Sequence, residues 1–211
     1  MFKMARLGLL LCCLPALALA NSNAATDELL QRLQTLHSMQ ASFEQRTLAR
    51  DGKVLQQLTG QIQVARPGKM RWHTDDPYPQ LVVSDGELLW IYDMDLEQVT
   101  IRHMDQRVQQ TPALLLSGQA EAIRDSFNVK AEGDTQQRTY RLLPQDNSQL
   151  FEELRFAYQG ETLQRMEILD AAGQLTEIQF QQSAVNQTMD ESAFVFNVPE
   201  GVDVIDGRHD F

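Results

Sequence analysis

The chain has 211 residues, 29 of them acidic against 18 basic, for a formal charge of −11. That imbalance excludes nucleic acid and anionic membrane surfaces as ordinary partners, because both would repel it. The length suits one domain able to bury its own core without staples.

The amino terminus reads MFKMARLGLLLCCLPALALA, with Lys3 and Arg6 ahead of an apolar run from Leu7 to Leu14, then Pro15 and Ala18-Leu19-Ala20. A positive start, a short apolar stretch and an A-x-A end predict a secretory signal over residues 1–20, cleaved after Ala20; the stretch is too short to span a bilayer. Both cysteines, Cys12 and Cys13, lie inside it, so the exported chain carries no thiol, disulfide or thiolate ligand. They follow Leu11 and Cys12 rather than a small residue, which argues against a lipid anchor. The expectation is one free domain over residues 21–211.

Thr26 or Asp27 is a plausible helix cap, and Leu29, Leu30, Leu33 and Leu36 make one apolar stripe at helical spacing. From about Ala41 the period becomes two: Leu58, Gly60, Ile62 and Val64 alternate with polar neighbours, and after a Pro67-Gly68 turn Met70 and Trp72 do the same. A meander follows over Leu81–Val83, Leu88–Tyr92 and Val99–Arg102, with turns at 84–87 and 93–97. Thr111-Pro112-Ala113-Leu114-Leu115-Leu116-Ser117-Gly118 then frames a short apolar helix, with a capping hydroxyl, a first-turn proline and a closing glycine. Strand signals resume at Phe127–Ala131, Thr139–Leu143, Leu154–Tyr158, Met166–Ile168, Ile178–Phe180 and Phe194–Val198. About ten strands and two or three short helices predict one curved antiparallel sheet with helices on one side. Two small helices over a long sheet leave an apolar hollow, a default place for an apolar ligand.

Motifs for covalent chemistry are wanting. His37, His73, His103 and His209 lie far apart with no metal-ligand spacing, and there is no Gly-x-Ser-x-Gly elbow or phosphate loop. Asp93-Met94-Asp95-Leu96-Glu97 opens like a calcium loop, but Gln98 stands where the required glycine belongs, so a solvated hairpin tip is the better reading. No metal or other cofactor is expected. Ala65-Arg66-Pro67-Gly68-Lys69-Met70-Arg71-Trp72 stands out: it sets a guanidinium where a strand meets a turn, and a fixed fork of donors can satisfy the unpaired carbonyls of a helix end. An ordinary exposed turn arginine is the bland alternative.

That octet resembles the LolA family of outer-membrane lipoprotein carriers. So do Leu81-Val82-Val83-Ser84-Asp85-Gly86, Leu89-Trp90-Ile91-Tyr92-Asp93, Leu96-Glu97-Gln98-Val99-Thr100, the 111–118 segment, Ala41-Ser42-Phe43 and the ending Phe194–Val202. The resemblance implies a mainly β protein with α: an unclosed antiparallel half-barrel of about eleven strands covered by a lid of short helices. It implies a non-enzymatic, monomeric periplasmic chaperone that does not insert into membranes. Its cargo would be acylated lipoproteins, loaded by an inner-membrane ABC transporter complex and passed to an outer-membrane lipoprotein receptor of the same fold. By the same resemblance Arg66 latches the lid through backbone oxygens around Leu33 and at Leu115, Leu116 and Ser117. The apolar cavity would be lined by Phe43, Ile62, Val64, Met70, Trp72, Trp90, Leu114, Phe156, Ile168 and Phe180. Met70 departs from the phenylalanine usual in the family, while keeping an adaptable apolar surface. The alternatives are the receptor itself, which should carry a lipid on its first mature cysteine, a carrier of free lipid or hydrophobic peptide, and a periplasmic hydrolase using scattered carboxylates.

Overall fold

In a computed structural model that describes residues 17–104, 115–118, 121–146 and 151–209, the chain opens with α1 (Leu17–Thr35). Six strands follow: β1 (Ser38–Leu48), β2 (Val54–Ala65), β3 (Lys69–Thr74), β4 (Gln80–Asp85), β5 (Leu88–Asp93) and β6 (Gln98–His103). After α2 (Glu121–Ser126) come β7 (Phe127–Gly133), β8 (Gln137–Pro144), β9 (Phe151–Gln159), β10 (Thr162–Asp170), β11 (Leu175–Val185) and β12 (Asp203–Asp206). The first sixteen residues of the expected signal, and Thr111 to Leu114 of the expected lid helix, lie outside the described residues.

All twelve strands join one sheet in the order β12-β6-β5-β4-β3-β2-β1-β11-β10-β9-β8-β7, and the end strands β12 and β7 do not pair, so the sheet stays unclosed. Neighbours are antiparallel except β12, which runs parallel to β6. The period-two sequence produces two distinct faces: in β3, Met70, Trp72 and Thr74 are buried while Lys69, Arg71 and His73 point the other way. The inner faces of most strands contribute to one apolar cluster with Leu29, Leu30 and Leu33 of α1 and with Leu115 and Leu116.

Two expectations are corrected. The helix already runs from Leu17 through Ala25, ahead of the expected Thr26 or Asp27 cap, because the alanines and leucines of that stretch are good helix formers. Phe194–Val198 is not a strand: Asp190 accepts a hydrogen bond from Ser192 N and caps a tight helical turn, Glu191–Phe194. The residues that follow run irregularly across the outer face of the sheet. Phe194 is buried, and the Phe196 ring lies 6.2 Å from Trp90 and 6.1 Å from Tyr92. The apolar alternation there reflects packing onto a sheet, not pairing within one, and the chain re-enters the sheet only at β12.

The outer face of the other half is charged and self-compensated. Arg141 holds Glu153 at 2.7 and 2.6 Å and Glu132 at 3.3 Å, Arg155 bonds Glu153 and Glu167, and Arg165 reaches Glu167 at 2.9 Å. This ladder crosses β7 to β10 and fixes their register. The Arg141 hydrogen bond, with Arg155 beside it, outweighs the burial of Glu153 and pulls its carboxyl down to about 2. Since an unfolded glutamate titrates near 4.3, this group adds stability above that pH and loses it as pH falls toward 2. Glu153→Gln is therefore expected to lower stability by about 1–3 kcal/mol at neutral pH. The gap from the parent should shrink as pH falls below about 4 and close only near pH 2, read as urea midpoints across the range; a gap independent of pH would refute the assignment.

Candidate functional site

Arg66 follows the last residue of β2 at the corner leading to β3. Its backbone N donates to His37 O at 2.9 Å, tying the corner to the loop that ends α1. The side chain turns beneath the residues at 115–118. Nη1 donates to Gly118 O at 2.5 Å and Nη2 to Leu115 O at 3.3 Å, while Gly68 N donates to Ser117 O at 2.7 Å. Leu115, Leu116 and Ser117 are all buried. Gly68 holds φ at +74°, and an added Cβ would lie 2.8 Å from Gly86 Cα, so the corner can reach the lid and pass the β4–β5 turn only with glycine there.

Burial pushes the Arg66 guanidinium below its ordinary pKa, and Nε is buried with no hydrogen-bond partner among the described residues. The bonds that the described residues give this cation go to backbone carbonyls. The carbonyl of Leu33, expected as a further acceptor, instead takes a bond from Leu36 N at 3.3 Å; no bond from Arg66 to it occurs among the described residues.

The inner face brings together Phe43, Ile62, Val64, Met70, Trp72, Phe156 and Phe180, all buried in the apolar cluster, with Ile168 packed against them. Phe43 and Trp72 touch ring to ring, centroids 4.2 Å apart. Leu114 lies outside the described residues. Trp90 is corrected: its neighbour Leu89 belongs to the inner cluster, and Trp90, one residue on, faces outward, paired with Val83 and Ile101 under the Phe196 ring. Leu88–Tyr92 is apolar on both faces because the carboxyl-terminal segment covers the outer one, and alternation alone could not tell which face is which.

A second group of residues escaped the sequence reading. Glu28 on α1 accepts from Arg138 Nη2 and Nε at 2.5 and 3.1 Å and from the Tyr140 hydroxyl at 2.6 Å. Arg32, one turn on, donates to Tyr140 Oη and to Gly160 O, both at 2.8 Å, with its guanidinium 5.1 Å from the Tyr158 ring centroid. Burial, then the bond to Glu28, pushes Tyr140 up to about 12; the Arg138 and Tyr140 hydrogen bonds lower Glu28 against the effect of its own burial. The available signal was Glu28 and Arg32 beside Leu29 and Leu33, charges next to the core-facing stripe. Their partners stand more than a hundred residues away, so nothing local identified them.

With the lid in this position the inner face is roofed by Leu29, Leu30, Leu33, Leu115 and Leu116. Open space remains at the end of the face remote from Arg66, a groove of about 520 Å³ lined by Leu58, Trp72 and Tyr78 together with polar residues that include Gln45, Gln80 and Asp93. A smaller space of about 90 Å³ lies beside the end of α1. Among the described residues no cluster of histidine, cysteine, aspartate or glutamate could hold a metal, and no helix is long and apolar enough to cross a membrane. The calcium-like turn is a hairpin tip in which Asp93 accepts from Leu96 N at 3.1 Å.

Comparison with known proteins follows the same line. The family model for outer membrane lipoprotein carrier protein LolA matches residues 34–197. A relative from Pseudomonas paraeruginosa named outer-membrane lipoprotein carrier protein is 42% identical over 190 residues, covering 90% of this chain and 91% of its own. One of the same name from Chromohalobacter salexigens is 41% identical over 192 residues, 91% of each. Among solved structures, an uncharacterized conserved protein from Thermus thermophilus superposes with a TM-score of 0.55 at 12% identity, covering 85% of this chain and 98% of that one, a likeness of fold alone.

Proposed function

The chain belongs to the LolA family of outer-membrane lipoprotein carriers, and from that premise we propose that it is a periplasmic chaperone that shelters the acyl chains of lipoproteins between the two membranes. The observation that carries this is the latched apolar face: a continuous greasy surface under a cover held by a few bonds from one corner. An acyl chain of roughly fifteen methylenes, at about 0.8 kcal/mol each, gains on the order of 12 kcal/mol when fully buried. Three such chains would exceed the ceiling of about 18–21 kcal/mol for non-covalent complexes. A carrier that hid them all without penalty could not release them.

The lid supplies the penalty. Opening breaks the Arg66 and Gly68 bonds and uncovers Leu115 and Leu116, so part of the burial energy returns when the lid recloses on release. Extraction energy has to come from a partner, because the sequence offers no nucleotide-binding motif. An inner-membrane ABC transporter complex at loading and an outer-membrane receptor at delivery fill the two roles, with the carrier a monomer in transit. The negative charge supports the reading, since anionic lipid on either side would repel the carrier. No covalent step is involved.

Depleting the protein from cells and fractionating the membranes is the test. Outer-membrane lipoproteins are expected to accumulate in the inner membrane; an unchanged distribution would refute the proposal.

A further inference from the structure

Resting on the carrier reading, we infer that the groove remote from Arg66 is a head-group site: it holds the glyceryl-thioether head and first peptide units of an acylated cysteine, and it rejects the phosphate of a phospholipid bearing the same acyl chains. The register of the sheet marks where the site begins. On the inner face Ile62, Trp72, Val82 and Ile91 stand side by side across β2 to β5, an apolar rung. The next rung toward the groove is Gly60, Thr74, Gln80 and Asp93, with Gln98 of β6 beyond them. Paired residues share a face, so the inner surface turns from greasy to polar within one rung.

A sheet that simply ended in water would look the same if its strands stopped there. β1 and β2 do not stop: Gln45 pairs with Leu58, and Thr47 with Gln56, further along. The polar groups are therefore the floor of a groove of about 520 Å³, inside the range of about 300–1,000 Å³ of small-molecule sites. Tyr78, Pro79 and Leu96 wall it, and Tyr78 and Leu96 are exposed apolar side chains. Among the described residues the side-chain amides of Gln45, Gln56 and Gln80 have no hydrogen-bond partner, so they can serve the carbonyls and N–H groups of a ligand. An acylated cysteine presents ester carbonyls and peptide groups where its chains end.

Length agrees. From Thr74 to Met70, near the Arg66 corner, is four residues along β3, about 13 Å at 3.3 Å per residue. An acyl chain spans half of a bilayer core, about 15 Å. Ester carbonyls set on the Gln80 rung lay the chain along Trp72 and Met70, with its end near Arg66.

Charge then supplies selection. Asp93 and Asp95 line the groove, and no described lysine, arginine or histidine does. Arg66, and Arg102 paired with Leu89, stand at the opposite end of the inner face. On the third glycerol carbon a phospholipid carries an anionic phosphate and a lipoprotein an uncharged thioether, so only the phospholipid is repelled by the carboxylates. Burial of the chains is the same for both and cannot tell them apart.

The test compares three probes with matched chains: a synthetic diacylglycerylcysteine peptide, phosphatidylglycerol and a fatty alcohol. Affinities are read by displacement of an environment-sensitive dye from the purified protein at low ionic strength. Gln45→Leu with Gln80→Leu is expected to lower affinity for the peptide about tenfold relative to the alcohol; an unchanged ratio refutes the polar floor. Asp93→Asn with Asp95→Asn is expected to raise affinity for phosphatidylglycerol about tenfold or more relative to the peptide. Glu152→Gln with Glu200→Gln, exposed acids elsewhere, should move that ratio less than about twofold. No shift from the aspartate pair, or equal shifts from the two pairs, refutes selection by the groove. A diazirine on the residue after the acylated cysteine, photolysed on the unaltered protein, is expected to label residues 75–80 or 93–96; adducts confined to other segments overturn the site. Failure of the unaltered protein to bind peptide and alcohol alike would instead refute the carrier reading.

Discussion

Arg66→Leu is expected to fold, to take up lipopeptide, and to release it to an acceptor about tenfold more slowly than the parent. Each charge-assisted bond from the guanidinium to Leu115 O and Gly118 O is worth about 1.5–3 kcal/mol, and against it stands the cost of burying a cation whose bonds among the described residues go only to carbonyls. The two effects nearly cancel in overall stability, so the melting temperature should move little. They do not cancel in release. Leucine adds apolar surface to the corner, favouring the lipid-filled state, and removes the bonds that pull the lid back over the empty one; a shift of about 1.4 kcal/mol between those states is tenfold in the equilibrium. Arg66→Lys should fall between, because an ammonium cannot span two carbonyls with the same planar fork. The measurement is the rate at which a fluorescent lipopeptide leaves each variant for acceptor vesicles bearing the receptor. Release at the parental rate from Arg66→Leu would remove the latch from the mechanism while leaving the apolar face in place.

Where one face of a strand meets solvent and the other the core, the pattern was legible from the sequence. Met70 and Trp72 declared their face through Lys69, Arg71 and His73, and Arg66 declared itself as a fork of donors at a turn. Legibility failed where a long-range contact changed the rules. Leu88–Tyr92 has no polar face because Phe196 covers the outer one, so Trp90 was assigned to the wrong side. Phe194–Val198 alternates like a strand because it lies across a sheet. The lid acceptors were half legible: Leu115 and its neighbours sit in a capped apolar segment, but Leu33 O is used within its own helix end and Gly118 O takes the bond instead. The fastening of α1 was not legible at all, since Glu28 and Arg32 look like ordinary exposed helix charges until β8 brings Arg138 and Tyr140 beneath them.

Gly60→Ala is expected to destabilise the protein by about 3 kcal/mol or more, lowering the melting temperature by on the order of 10 °C. Gly60 sits in the middle of β2 with Phe43 opposite it on β1 and Thr74 opposite it on β3. A Cβ added there would lie 2.1 Å from the His73 carbonyl oxygen and 2.5 Å from Phe43 Cζ. The aromatic contact could yield by rotating the ring; the carbonyl belongs to the backbone of the neighbouring strand, and relieving it means parting β2 from β3. Glycine here is the slot into which the Phe43 ring lies before it meets Trp72. Filling the slot also drives Phe43 toward Trp72, narrowing the proposed acyl path, so lipopeptide uptake should fall together with stability. Adding Phe43→Ala to Gly60→Ala removes one of the two collisions and should recover part of the loss beyond simple additivity, the mark of residues that share a space. A melting temperature for Gly60→Ala within a few degrees of the parent would mean that β2 and β3 can yield around the new methyl, and the rigid floor assumed for the carrier would have to be given up.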